Sequence, residues 1–398
     1  MLNELVKTTS FEHCGNVVFK NKARNAAFDF IKGLAITSVV MGHTRAFSNV
    51  MPFFNLWHMG AFFIIAGWFF SAKSWDGIGN AELFLWKKIK RIWWPFVLWC
   101  SLFIVFHNFL FALNVFSSNT DMAWMWLSPD YYRIWSLQDV MKRLPPVLLL
   151  KGNACQLGQL WFLRVLFFAS VFYCLLGRVL TLFKLNRLFW LSCAALLSLC
   201  SARYCYPRPL STVMGYAGGR PVLMAFPLIH LGWLLRSFRI DYSNMRKREV
   251  ACWGTVCFIV LLALVSMGRI TYSRCQFPSV CFLLLAALSG FYFAMALSFL
   301  PVVSPFFAYV GRFSMSILIF HFLAYDLIDA FRVMLKGLPW EYMSAFPILP
   351  ADWRWGVCYV VAGIGIPILL NRISVHLSCG FNVLFRQFKR FKHEVVRP

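Results

Sequence analysis

The chain has 398 residues, of which 60% are apolar and only 14% charged. A water-soluble globular protein sits near 45–50% apolar and about 25% charged, so this composition excludes one and indicates a chain solvated by lipid tails, with 43 Phe and 17 Trp for its core and interfaces. The net charge of +24 does not indicate nucleic acid, because the Lys and Arg residues lie between apolar runs and not on one face of a soluble domain; membrane lipids are the expected surroundings.

The first 25 residues, MLNELVKTTSFEHCGNVVFKNKARN, lack an apolar stretch long enough for a cleavable signal peptide. They are expected to form a cytoplasmic tail (1–25), with the first membrane helix as the insertion signal. A spanning helix needs about 20 mostly apolar residues. Such runs lie at 26–45, 53–71, 92–114, 160–181, 188–205, 221–238, 250–267, 278–300, 308–330 and 355–375. They predict an all-α, polytopic integral membrane protein of about ten transmembrane helices, with a membrane domain over 26–376. The longest segment between spans, 115–159, carries Pro145-Pro146 followed by VLLLKG. That stretch is too short to span and predicts an interfacial or re-entrant piece. The basic, aromatic tail 377–398 predicts an anchor at an anionic inner leaflet.

With the N-terminus inside, 24 of the 39 Lys and Arg fall on inner segments and 14 on outer ones, with Lys32 inside the first span. The asymmetry predicts both termini in the cytoplasm. Most of the 13 Cys sit inside apolar runs as small hydrophobes, and no Cys/His spacing suits a metal. Cys205 and Cys275 both fall in predicted outer loops, where a disulfide between them is left open.

Ionisable side chains inside spans are costly and therefore carry functional weight. In the first span, AFDFIKGLAITSVVMGHTRAF, Lys32 and His43 are 11 residues apart. At 100° per residue they share one helical face, about 16 Å apart along the axis. Asp29, three residues before Lys32, can pair with it. His58 enters the second span from the same side as His43, across a short loop, so the two imidazoles are expected at similar depth. His107 and His230 read as satisfied core histidines. His321, in SMSILIFHFLAYD, is followed on its helix by Asp326 and Asp329. Before the third span, FLWKKIKRIWWP places Lys88 and Arg91 three apart on one face of an inner-surface helix, a pair able to bind lipid or ligand phosphates.

In this order the segments resemble the acyltransferase-3 family of membrane acyltransferases, which includes bacterial polysaccharide and lipopolysaccharide O-acetyltransferases. The family's first span has Arg or Lys, ten residues, then His, matched by Lys32 to His43 in FDFIKGLAITSVVMGH. LWHMGAFFIIAG, covering His58 to Gly67, resembles its FHMPxFFxxSG-like second span. Lys88-Ile89-Lys90-Arg91 resembles its (R/K)xxR step, LWFL at Leu160 to Leu163 its WFL step, and ILIFH its apolar run ending in His, here His321. The likeness runs from about residue 24 to 375 in spans of the expected length. It departs at Gly60, where Pro is usual, and at Ala66, where Ser is usual, so no catalytic hydroxyl is assigned there.

The resemblance implies transfer of an acyl group, usually acetyl, from cytoplasmic acetyl-CoA to a hydroxyl of a glycan or lipid-linked sugar, without a metal. It implies His43 as general base, with Lys32 and His58 beside it, Asp29 and His321 as further site candidates, and Lys88 and Arg91 as the dock for the phosphates of acyl-CoA. The alternative reading is a transporter or flippase for a glycolipid or anionic solute, in which buried Lys and His would line a path. No paired half-repeats with broken helices support it.

Overall fold

The fold is that of a computed structural model that describes residues 25–119, 132–152, 155–205, 219–240 and 245–395. The predicted tail 1–24, part of the 115–159 segment and the last three residues lie outside them. The chain is all-α: among the described residues the only β feature is an isolated antiparallel bridge between Thr271 and Gln276.

Helix α1 (Ala26–Thr44) starts where the Asn25 carboxamide accepts the Ala27 amide at 3.1 Å, and stops where Arg45 enters the left-handed region at φ 56°. The predicted second span is broken. α2 (Met51–Asn55) and α3 (His58–Trp68) are separated at Leu56 and Trp57. α4 (Ile78–Lys88) runs through a π-helical turn at Ile89–Trp93 into α5 (Trp94–Val105), and α6 (His107–Ala112) follows a kink at Phe106. α7 (Leu137–Leu148) is followed by α8 (Trp161–Leu182), α9 (Arg187–Tyr204), α10 (Arg220–Ser237), α11 (Lys247–Met267) and α12 (Val280–Leu297). α13 (Ser304–Arg312) and α14 (Ser314–Lys336) meet at Phe313 with an 83° bend, and α15 (Trp353–Val395) closes the chain.

Among the described residues four stretches are each long and apolar enough to cross a membrane: Gln156–Leu182, Lys247–Met267, Val280–Leu297 and Trp353–Ser374. The bent α13–α14 pair makes a fifth when taken as one span. The difference from the ten apolar runs has physical causes. Some runs are interrupted, at Trp57, Phe106 and Phe313, and α1 carries Asp29 and Lys32 near its start.

The core is organised around close helix crossings. α1 packs along α13, and α3 along α10. A Cβ on Gly33 would lie 1.8 Å from the Phe307 carbonyl oxygen, and one on Gly311 1.8 Å from that of Asp29. Only paired glycines let these two backbones touch, which is how helices approach in a solvent that gives no hydrophobic drive between them. The α3–α10 crossing uses Gly67 and Gly232 in the same way. Gly67, the glycine of the family-like second-span motif, is therefore a packing residue.

Polar residues tie down the irregular segments. α7 opens with a capping box between Ser136 and Asp139. The Arg133 guanidinium donates to both Asp139 oxygens, at 2.9 and 3.0 Å, and together with the cap holds that carboxyl below the usual carboxylate range. At 12 residues α7 is too short to cross a bilayer. It lies against α5, and its far end is held by the Trp93 indole, which donates to the Leu148 carbonyl at 2.9 Å. Arg164, buried on α8, donates to the carbonyls of Leu150 and Lys151. The predicted re-entrant stretch is thus the last turn of α7 and the bend after it. Cys205 and Cys275 are both free thiols, Cys205 exposed and Cys275 buried with its Sγ facing the Ala202 carbonyl at 3.9 Å.

Candidate active site

A cavity of about 380 Å³ opens between α1, α3, α8, the start of α14 and the Ile270–Ser273 turn. That is the size of a small-molecule site. Lys32, His43 and His58 all line it. The helical stripe read from sequence therefore faces a real space, with Lys32 about three turns from His43 along α1.

Each histidine is held differently. His58 sits at the first position of α3, with Nδ1 2.7 Å from the Phe54 carbonyl oxygen. A carbonyl can only accept, so Nδ1 carries the proton and Nε2 keeps its lone pair. His321 is fully buried on α14, and its Nδ1 donates to the carbonyls of Ile317 and Leu318 at 2.8 and 3.1 Å. Its Nε2 is buried and has no hydrogen-bond partner among the described residues. The ring of His43 lies 5.4 Å from that of His321, and both pack on Phe322. His321 itself does not line the cavity; it stands behind His43.

Lys32 donates to the Asp29 carboxylate at 2.5 Å across one turn of α1. Asp29 is buried, so Lys32 supplies the countercharge that its carboxylate needs in this environment. Asp326 and Asp329 do not reach the cavity. Asp326 accepts from the Gln156 carboxamide at 3.1 Å. Asp329 accepts from the Tyr359 hydroxyl and the Leu349 amide and faces Arg332, which also donates to the carbonyls of Leu349 and Pro350. His107 and His230 are partnered as core residues: His107 faces the Arg133 carbonyl at 3.0 Å and stacks on Trp135, while His230 sits between Tyr173 and Ser192 hydroxyls.

Lys88 and Arg91 do not line the cavity either. The π turn at Ile89–Trp93 begins right after Lys88 and contains Arg91, so the simple helical spacing does not apply. Lys88 turns toward α8 and donates to the Ser170 hydroxyl at 3.1 Å, while Arg91 is exposed. Ser170 stands one helical turn beyond Leu166, a cavity-lining residue. Lys88 is therefore held against α8 one helical turn from the cavity lining.

Several polar liners were not singled out from the sequence. Gln159 borders the cavity, with its amide nitrogen held by the carbonyls of Gln156 and Leu318 and its oxygen without a partner among the described residues. The signal was present in QLGQLWFL, where two glutamines flank Leu157-Gly158 just before an apolar helix. Asn55, Thr271 and Ser273 add hydroxyl and amide groups near the histidines. Among the described residues no group of three or more His, Cys, Asp and Glu side chains is disposed to hold a metal ion.

A helical membrane bundle with a histidine-lined cavity fits a membrane-embedded transferase. The family model described as an acyltransferase domain (Acyl_transf_3) matches residues 25–372, and the chain belongs to this acyltransferase-3 family. It is a membrane acyltransferase. No curated protein and no solved structure matches the chain.

Gly60, the departure from the family pattern, has a local cause. The Tyr272 hydroxyl donates to the Leu56 carbonyl at 3.0 Å and fills the space beside residue 60, where a Cβ would lie 2.6 Å from it. The turn carrying Tyr272 is pinned by two amide–carbonyl bonds between Thr271 and Gln276, at 2.8 and 3.1 Å. Gly60→Ala is expected to destabilise the protein by about 1–3 kcal/mol, as overpacking does, and Gly60→Ala with Tyr272→Phe to recover part of that loss. Thermal unfolding in detergent of the two single variants and the double variant checks this; strict additivity would show that Tyr272 does not set the size of residue 60.

Proposed function

We propose that this acyltransferase moves an acetyl group from acetyl-CoA to a hydroxyl of a cell-surface or exported glycan. The observation that carries the reading is the convergence of Lys32, His43 and His58 on one cavity whose remaining polar liners are hydroxyls and amides and which no Asp or Glu lines. Such a lining suits a neutral, hydroxyl-rich acceptor. His43 takes the proton from the acceptor hydroxyl. The oxygen attacks the thioester carbonyl, the C–S bond breaks, and the CoA thiolate leaves and takes up a proton. Imidazole suits this task near neutral pH. Lys32, about three turns from His43 along α1, supplies positive charge deeper in the same cavity, where it meets the phosphopantetheine arm of the donor. His58, with Nδ1 tied to Phe54, offers Nε2 as an acceptor that orients the acceptor sugar. Lys88 and Arg91 hold the phosphates of the donor.

The Lys and Arg asymmetry supports an orientation with both tails and the Lys87–Arg91 step on the cytoplasmic side of a bacterial inner membrane, where acetyl-CoA is available. Within this reading residues 26–376 are the acyltransferase domain, flanked by two cytoplasmic tails. A reporter fused after Pro398 is expected to read out as cytoplasmic, and an extracytoplasmic signal would reverse the scheme.

His43→Gln keeps hydrogen-bonding atoms but cannot act as a base near neutral pH. It is expected to lower glycan acetylation per folded molecule by about 10²–10⁴-fold, with folding followed by size exclusion in detergent. Near-normal turnover by folded His43→Gln would remove His43 from the reaction. Lys88→Ala with Arg91→Ala is expected to raise the donor KM about tenfold or more while kcat changes little, since charge-assisted phosphate contacts act on binding. An unchanged donor KM in the purified variant would place the donor dock elsewhere.

A further inference from the structure

We infer that His321 is a positioning residue that sets the tautomer of His43, a step that rests on His43 being the general base. A general base needs one bare ring nitrogen turned toward the acceptor hydroxyl, and the other nitrogen must hold the proton. His43 makes no hydrogen bond among the described residues, so its own contacts do not decide which nitrogen is bare. His321 can decide it. Its Nδ1 is committed to the Ile317 and Leu318 carbonyls, which leaves Nε2 as an acceptor only. That nitrogen is buried and without a partner among the described residues, and the nearest imidazole is that of His43, 5.4 Å away between ring centres.

The surroundings hold this arrangement in place. Both imidazoles pack on the Phe322 ring, with centres 4.8 Å from it for His43 and 4.5 Å for His321. One turn further along α14, Tyr325 donates to the Val40 carbonyl of α1 at 2.6 Å. This bond fixes the register between the two helices that carry the histidines. The charged and titratable groups nearby are accounted for: Lys32 is paired with Asp29, Asp326 with Gln156, and His58 with Phe54. The one buried acceptor left over next to His43 is Nε2 of His321. A His43 N–H directed at it turns the second nitrogen of His43 toward the cavity. The proton of the acceptor hydroxyl then moves to that second nitrogen, and the imidazolium formed keeps its other N–H on His321.

Two side chains separate this role from space filling. Glutamine at 321 carries an acceptor where Nε2 stands, and asparagine carries polar atoms only where Nδ1 stands. His321→Gln is expected to retain kcat within about threefold. His321→Asn is expected to lose about 10- to 100-fold in kcat with the donor KM unchanged, because a misdirected proton affects the chemical step and not donor binding. His321→Leu, which fills the volume without an acceptor, is expected to behave like the asparagine variant and serves in its place should that variant fold poorly. Selective ¹⁵N labelling of histidine reports the tautomer directly. The His43 signals are expected to show one tautomer in the unaltered protein and in His321→Gln, and a mixture in the variants without the acceptor. Folded His321→Asn or His321→Leu with unaltered kcat and a single His43 tautomer, alongside an inactive His43→Gln, overturns the proposal and leaves the general-base reading standing. An active His43→Gln overturns both.

Discussion

The backbone contact between α1 and α13 determines where everything else in the site can be. With Gly33 against Phe307 and Gly311 against Asp29, these helices touch along their main chains. The chain then bends by 83° at Phe313, so α14 leaves the crossing in a new direction and returns alongside α1. Tyr325 bonding to Val40 closes that return. The consequence is chemical. The crossing sits beside Lys32, the return sits beside His43, and α1 and the start of α14 together form one wall of the cavity between them. A side chain at Gly33 or Gly311 would move the whole α14 helix, and with it His321, away from His43.

Polar groups in an apolar bundle are costly unless satisfied. Among the described residues, buried atoms without a hydrogen-bond partner occur both at the cavity and away from it, Trp75 Nε1 and Arg332 Nε among the latter. Removing one partner of a buried ion pair costs on the order of 3–5 kcal/mol. The Asp329–Arg332 pair, with Tyr359 and the Leu349–Pro350 carbonyls around it, is bonded at every side-chain polar atom but Arg332 Nε, and fastens the segment before α15 to α14. His107 and His230 are bonded to partners as well. By contrast, the atoms left without partners include Gln159 Oε1, which borders the cavity, and His321 Nε2, which lies behind it. Unmet hydrogen-bonding capacity is expensive where there is no water. At the cavity, Gln159 Oε1 is such a group within reach of a bound molecule.

The sequence made the class of the protein legible, along with part of its cavity. The apolar runs located the helices, and the 11-residue spacing placed Lys32 and His43 on one face because α1 is a regular helix from Ala26 to Thr44. Where the helix is irregular the same reasoning did not hold. Arg91 lies within a π turn that starts right after Lys88 and that no spacing rule reveals, and the second and ninth runs are broken at Trp57 and Phe313. The glutamines before Leu160 and the hydroxyls of the Ile270–Ser273 turn belong to the cavity through contacts far apart in sequence, such as Gln159 with Leu318. Pairings at that distance leave no periodic trace. Gly60 could be noted as a departure, but its cause, a tyrosine more than two hundred positions away, could be found only in three dimensions.

The three imidazoles near the cavity differ in one respect that bears on their roles. His58 and His321 each give a ring proton to a carbonyl of their own chain segment, one turn back, and so are oriented by the backbone that carries them. His43 has no such tether. It lies near the end of α1, two residues before the left-handed Arg45, and its ring is positioned by packing against Phe322 and His321. A tethered imidazole is a fixed acceptor with a predetermined tautomer, whereas an untethered one can exchange its proton without breaking a backbone bond. Proton transfer in a bundle with little water requires both kinds, a mobile site for the proton and fixed acceptors to direct it. That division follows from which histidines sit one turn after an available carbonyl, and it leaves His43 as the untethered imidazole of the three.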